Sequence, residues 1–169
     1  MLSTKKLFLV QWLWKFIPDS RGMKFKACSL RWAGAVVGDR VSIMSSAKIK
    51  GGIELIIGND VFIGHEAFIM GANHSKIQID DYAKIGSRTV LVTGTHRFSP
   101  DGNCIEKEGT FADIHICTGA VCSTMTIVLP GKTVGRMAHC AAASVITHDV
   151  PEFTRVAGSP ARVIRNFKE

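Results

Sequence analysis

Six histidines and five cysteines are the side chains in this 169-residue sequence best suited to proton transfer, nucleophilic attack or metal binding. His96 raises the sharpest question among them. It stands in "VLVTGTHRFSPDGN", Val90 to Asn103, where an aliphatic run gives way to a histidine, a proline, a glycine and an asparagine. An imidazole with a reference pKa of about 6.5 can take a proton and return it near neutral pH, the task of a general base. His74 follows Ile69 by five residues, as His96 follows Leu91. His65, His115, His139 and His148 read as surface or groove positions. The cysteines (Cys28, Cys104, Cys117, Cys122 and Cys140) form no C-x-x-C pair and are odd in number. That argues against a closed disulfide framework and for a reducing compartment, the cytoplasm.

The elements that must position these groups follow from a period of six, which is neither the helical nor the simple strand period. Val37, Ile43 and Ile49 form one set; Ile57, Ile63 and Ile69 a second; Ile79, Ile85 and Leu91 a third. Ile116, Cys122 and Val128, then Val134, Cys140 and Ile146, complete five sets. A small residue often follows the aliphatic one, and a small or β-branched residue often sits four places after it. This is the hexapeptide signature of a parallel β-helix, in which three hexapeptides make a triangular coil and each aliphatic residue points into the prism. Cys122 and Cys140, one 18-residue coil apart, then belong to the column of Ile43, Ile63 and Ile85. Both are expected as buried, inert core residues.

The template also locates its own interruptions. Val37 to Ile57 is 20 residues, Ile57 to Ile79 is 22 and Ile79 to Ile116 is 37, against 18 for a strict coil. All three insertions fall at one corner, and insertions gathered on one side of a repeat protein commonly build its binding site. His96 and His74 both sit at that corner. The longest insertion supplies a protruding loop at about 97–113.

Length and composition bound the rest. The chain is long enough for one core and too short for two, and 46% apolar with 21% charged residues is the balance of a folded protein. Of a net charge of +7, the excess lies at the front: residues 1–50 hold ten Lys or Arg against two acids. No nucleic-acid-binding motif accompanies it. "LFLVQWLW", Leu7 to Trp14, is too short to span a bilayer and lacks a cleavage site, so it reads as a helix covering one end of the domain. The alternative is an amphipathic helix lying on a membrane surface. The expected organisation is a helical basic segment over 1–34, a β-helix over 35–148 and a tail or short helix over 149–169.

The C-terminal stretch "IVLPGKTVGRMAHCAAASVITHDVPEFTRVAGSPARVIRNF", Ile127 to Phe167, resembles the end of the hexapeptide-repeat O-acetyltransferases that act on maltose, galactosides, nodulation factors and surface polysaccharides. The "LPG" turn at Leu129 to Gly131, the "DVP" at Asp149 to Pro151 and "AGSPARVIR" at Ala157 to Arg165 carry the resemblance in combination. "LRWAGAVVGDRVSI" is similar to the opening segment of the polysaccharide-modifying members. The resemblance implies an all-β, left-handed parallel β-helix of about five coils, an exception to the usual right-handed crossover. It also implies homotrimers with active sites between subunits, and a C-terminal helix that caps or flanks the prism.

For chemistry the resemblance implies transfer of an acetyl group from acetyl-CoA to a sugar hydroxyl, with His96 in "TGTH" matching the catalytic histidine. Asn73 and His74 would contact the acceptor. The pantetheine arm would run along backbone groups of Ser123, Thr124, Ala141 and Ala142, where small side chains allow close approach. Thr147, Arg162 and Arg165 match positions that meet the adenosine or phosphate end. Val121 departs from the pattern, standing where a tryptophan is usual. Some hexapeptide-repeat proteins are zinc carbonic anhydrases, but their histidine pair five residues apart is missing, so no metal is expected. Transfer to an amino sugar, and a non-catalytic β-helix scaffold, remain as alternatives.

Overall fold

A period of six returns an aliphatic side chain to the same place on each of three faces, and the chain winds accordingly into a left-handed parallel β-helix of about five coils. The structure, a computed structural model, describes residues 1–72, 74–99, 102 and 105–169. On the first face Val37, Ile57, Ile79, Ile116 and Val134 stand in register on neighbouring parallel strands. The second carries Ile43, Ile63, Ile85, Cys122 and Cys140, and the third Ile49, Ile69, Leu91, Val128 and Ile146. All of these side chains are buried, as the sequence predicts. Four places after the aliphatic one, Val41, Ala47, Ala83, Thr89, Ala120 and Ala138 are buried too, because the chain turns its corner around them.

Close stacking of the coils decides the small residue that follows many of the aliphatic ones. A Cβ on Gly38 would lie 2.6 Å from the carbonyl carbon of Gly58, and one on Gly86 would lie 2.7 Å from the carbonyl oxygen of Cys122. Both clashes are with backbone of the next coil, which cannot yield. Three places after the aliphatic residue the backbone is left-handed, with φ of 53° at Arg40, 56° at Asp60 and 58° at Arg88. Side chains at these strained corners reach across coils: Arg40 pairs with Asp60 at 2.6 Å and Arg88 with Glu66 at 2.6 Å.

A β-helix ends in strand edges whose polar groups need partners, and two helices supply them. Helix α1 (Thr4–Trp14) and helix α2 (Met23–Trp32) lie over the first coil. Each face receives one long side chain. The Arg31 Nε donates to Val37 O at 2.7 Å on the first face, and the Lys26 Nζ donates to Ile43 O at 2.9 Å on the second. On the third, the Gln11 amide donates to Ile49 O at 2.7 Å and accepts from Ile49 N at 3.0 Å, as a neighbouring strand would. Leu7, Val10, Trp14, Ala27 and Leu30 seal the apolar end of the prism beneath.

The other end departs from expectation. Residues after Asp149 form no helix: Thr154–Gly158 adds in parallel to His139–Cys140, and Ala161–Asn166 folds back on it antiparallel. The reason is the same edge. Val156 continues the column of Cys140, so adding a strand extends the core and satisfies the second face's last strand, which a helix would leave bare.

Candidate active site at the corner between the third and first faces

All three insertions lie where the third face turns into the first. The longest is not a structureless loop. Gly94–Phe98 pairs antiparallel with Ile105–Phe111, and the register sets Gly94 opposite Phe111 and His96 opposite Gly109. Cross-strand partners and residues two apart share a face of such a ribbon, so His96 and Phe111 stand diagonally on one side, each facing a glycine. The Phe111 ring covers both: a Cβ on Gly94 would meet it at 3.1 Å and one on Gly109 at 3.2 Å. A flat backbone floor, an aromatic wall and an exposed imidazole result.

The floor continues into the preceding coil. Met70, Gly71 and Ala72 join Gly94, Thr95, His96, Gly109 and Phe111 around a cleft of about 370 Å³. Gly71 is required there, since a Cβ would lie 2.3 Å from Ile53 Cγ2 and 2.4 Å from Thr93 Oγ1. A buried pair of hydroxyls, Ser75 and Thr93 at 2.8 Å, fixes the turn, with Ser75 Oγ also donating to Ala72 O at 2.7 Å. Within the chain, no side chain among the described residues bonds the His96 ring. That sets it apart from His65, His115, His139 and His148, which pair with Asp19, Asp80, Ser123 and Thr147 respectively. An unengaged imidazole on a cleft is free to exchange a proton with whatever binds.

His74, at the same corner one coil earlier, lines a neighbouring hollow with Glu54, Ser75, Lys76 and Asp113 rather than the His96 cleft. Asn73 lies outside the described residues, as does Cys104.

The residues expected to hold the coenzyme flank the third face. Ser123, Thr124, Ala141 and Ala142 stack on two successive coils at the corner where the second face turns into the third, with the Ser123 amide donating to Cys140 O and the Ala143 amide to Thr124 O. Thr147 lies across that face, at the corner shared with His96 two coils earlier, and bonds His148 at 2.9 Å. Arg162 shares a hollow with His148, Asp149 and Pro151. Arg165 lies instead opposite Arg155 on the terminal hairpin. Val121 sits on the outer side of the second face, opposite His139 on the next coil.

Two clusters test other chemistries. Ser123 Oγ lies 2.9 Å from His139 Nε2, a spacing that suits a serine nucleophile. However, Arg155 Nε, which can only donate, bonds His139 Nδ1 at 3.1 Å and makes it the acceptor. The neutral ring then carries its proton on Nε2 and cannot take one from Ser123. Burial and the Arg155 charge both lower the His139 pKa, which keeps that neutral form. Asp80, His115 and Cys117 bring three ligand atoms within 4.8 Å of one another. Asp80 Oδ2 bonds His115 Nε2 directly at 2.8 Å, while burial, reinforced by Asp80, pushes the Cys117 thiol up and keeps it protonated in the absence of an ion. Cys122 and Cys140 adjoin in the core, and their mutual hydrogen bond together with burial raises the Cys122 pKa well above the usual thiol value.

Phe111 and Gly109 carry no signal in the sequence, because the six-residue period is interrupted between Leu91 and Ile116 and only the register of the ribbon brings them to His96.

No family model matches the chain. A protein of Escherichia coli K12 named as a colanic acid biosynthesis acetyltransferase, WcaF, is 28% identical over 148 residues, covering 86% of this chain and 77% of its own. The galactoside O-acetyltransferase of the same organism is 27% identical over 118 residues, 66% of this chain and 57% of its own. Among solved structures, the hexapeptide-repeat acetyltransferase VCA0836 of Vibrio cholerae, complexed with acetyl coenzyme A, superposes with a TM-score of 0.78 at 22% identity, over 98% of this chain and 87% of its own. AntD of Bacillus cereus, an N-acyltransferase complexed with dTDP and 3-hydroxybutyryl-CoA, gives 0.68 at 19% identity, over 78% and 72%. In sequence this chain is similar to these acetyltransferases, and in fold to the hexapeptide-repeat proteins among the solved structures.

Proposed function

We propose that the protein is an acetyl-CoA-dependent O-acetyltransferase that acts on a hydroxyl of a sugar or polysaccharide precursor, with His96 as general base. The observation that carries this reading is the unengaged His96 imidazole on a cleft of about 370 Å³, walled by Phe111 and floored by glycines. An alcohol is barely ionised at neutral pH, so attack on a thioester needs a base placed at the acceptor oxygen. His96 accepts the hydroxyl proton as that oxygen bonds to the acetyl carbonyl carbon. When the tetrahedral intermediate collapses, the C–S bond breaks and the imidazolium returns the proton to the departing thiolate. No acyl-enzyme forms, in keeping with the proton on His139 Nε2 that leaves Ser123 without a base.

Sugar rings present an apolar C–H face and a polar hydroxyl edge. Phe111 offers a surface for the first, and His96 meets the second. The similarity to WcaF and to galactoside O-acetyltransferase supports a saccharide acceptor, and the likeness to VCA0836 in complex with acetyl coenzyme A supports that donor. Ser123, Thr124, Ala141, Ala142 and Thr147 border the outer side of the third face, where Met70, Val90, Val92 and Ile127 project. That apolar outer side suits a homotrimer with the coenzyme held between subunits, Arg162 and Arg165 meeting its phosphates. The likeness to AntD favours N-acyl transfer as a second reading.

Coenzyme A release measured over a panel of neutral and amino sugars tests these together. O-transfer predicts turnover with neutral saccharides that His96→Ala abolishes. Turnover confined to amino sugars would establish the second reading. No turnover with any acceptor, and no acetyl-CoA binding, would leave a scaffold.

A further inference from the structure

Helix α1 is apolar on both sides. Leu7, Val10 and Trp14 face the first coil and are buried. Opposite them, Lys5, Phe8, Leu9, Trp12, Leu13 and Phe16 recur at helical spacing on the outer side, and Phe8 is 74%, Trp12 47% and Phe16 72% exposed. Phe16 stays on this stripe because the turn continues past the helix, its amide bonding Leu13 O at 3.1 Å. Trp12 and Phe16 pack edge to face at 5.2 Å. Helix α2 extends the patch: Ser29 takes the Trp14 indole bond, and Phe25 and Trp32, four before and three after it, emerge exposed beside α1. A helix that is hydrophobic all round calls for a cover on its outer side as well.

The charge around this patch names the cover. Lys5, Lys6, Lys15, Arg21 and Lys24 are all exposed around it. The two acids of residues 1–50 are already engaged, Asp19 by Ser46 and His65 and Asp39 by Arg31. Lys6 lies over the Trp32 ring at 4.9 Å, so cation and aromatic are interleaved rather than segregated. A second copy of this chain would meet the patch with the same uncompensated positive charge. An anionic lipid surface matches both properties, taking aromatic side chains at headgroup depth and attracting the flanking cations. No helix among the described residues is long and apolar enough to cross a bilayer, so contact is with one leaflet.

We infer that the outer side of α1, with Phe25 and Trp32 of α2, is a docking surface for an anionic phospholipid bilayer. The surface lies over the first coil and its use is independent of the acyl-transfer reading. Gln11, Lys26 and Arg31 anchor the helices to the three faces, so docking requires no unfolding of the cap.

Co-sedimentation of the full chain with phosphatidylcholine vesicles, with and without phosphatidylglycerol, tests this. The wild type is expected to sediment at least tenfold more with the phosphatidylglycerol vesicles, to be released by salt, and to shift its tryptophan emission to the blue on binding. Phe8→Ser with Trp12→Ser is expected to lose at least tenfold in partitioning. Lys15→Glu with Lys24→Glu, at exposed positions that leave folding intact, is expected to lose as much at low salt. Wild type that stays in the supernatant with anionic vesicles at low salt would overturn the inference, as would charge-reversed protein that binds unchanged. So would a fall in the sedimentation-velocity mass of Trp12→Ser without vesicles, since the patch would then be an interface between copies.

Discussion

His96 faces Gly109 across the ribbon and has Phe111 on its diagonal, and that arrangement assigns the two side chains different kinetic signatures. Phe111 contributes a surface that an acceptor meets equally in the ground and transition states, so its loss is uniform binding. Phe111→Ala is expected to raise the acceptor KM about five- to tenfold, roughly 1 kcal/mol, with kcat little changed. A fall in kcat with unchanged KM in steady-state coenzyme A release would instead place Phe111 at the reacting centre. Gly109→Val tests the floor, because its Cβ would lie 3.2 Å from Phe111 Cζ and 3.3 Å from Thr95 O, so either the ring or the backbone must shift. A loss of at least tenfold in kcat/KM with an unchanged unfolding midpoint is expected. His96 itself was legible as a candidate from its corner. The partners that give it a site were not, because cross-strand register is a long-range property with no local pattern.

Among the elements, the columns of the β-helix could be read from six-residue spacing, since each inward residue repeats in sequence what it repeats in space. The caps could not. Gln11, Lys26 and Arg31 are polar residues whose partners, Ile49, Ile43 and Val37, lie 38, 17 and 6 residues away, and nothing in their own neighbourhoods marks them. The C-terminal hairpin was missed for a related reason, as the open strand edge that recruits Thr154–Gly158 exists only once the coils are stacked. Gln11→Ala would leave Ile49 N–H and C=O without a partner at the edge of the core. The expected cost is about 1–3 kcal/mol, read as a lowered urea midpoint with unchanged slope. A midpoint equal to wild type would mean that water serves the edge as well as the amide does.

At the scale of the whole molecule, the cap and the coils are joined through Asp19, and this tie sets a dependence on pH. Burial raises the Asp19 pKa, but the Ser46 amide and hydroxyl and the His65 ring outweigh it and hold the carboxyl below its usual value. A carboxylate whose folded pKa is depressed contributes stability that is complete above its unfolded pKa of about 3.9 and is lost as pH falls through the lower folded value. The unfolding midpoint is therefore expected to decline as pH drops below about 4, and Asp19→Asn to flatten that decline. Identical acid limbs in the two proteins would place the acid sensitivity elsewhere.

The central claim, that this fold holds an acyltransferase with His96 as its base, meets its most direct test in one comparison. Coenzyme A release by wild type and His96→Ala is measured with the same acceptor, alongside acetyl-CoA affinity by calorimetry. With His96 as the base, His96→Ala is expected to lose about 100- to 10,000-fold in kcat with donor affinity within about twofold of wild type. Turnover by His96→Ala within about threefold of wild type would contradict it.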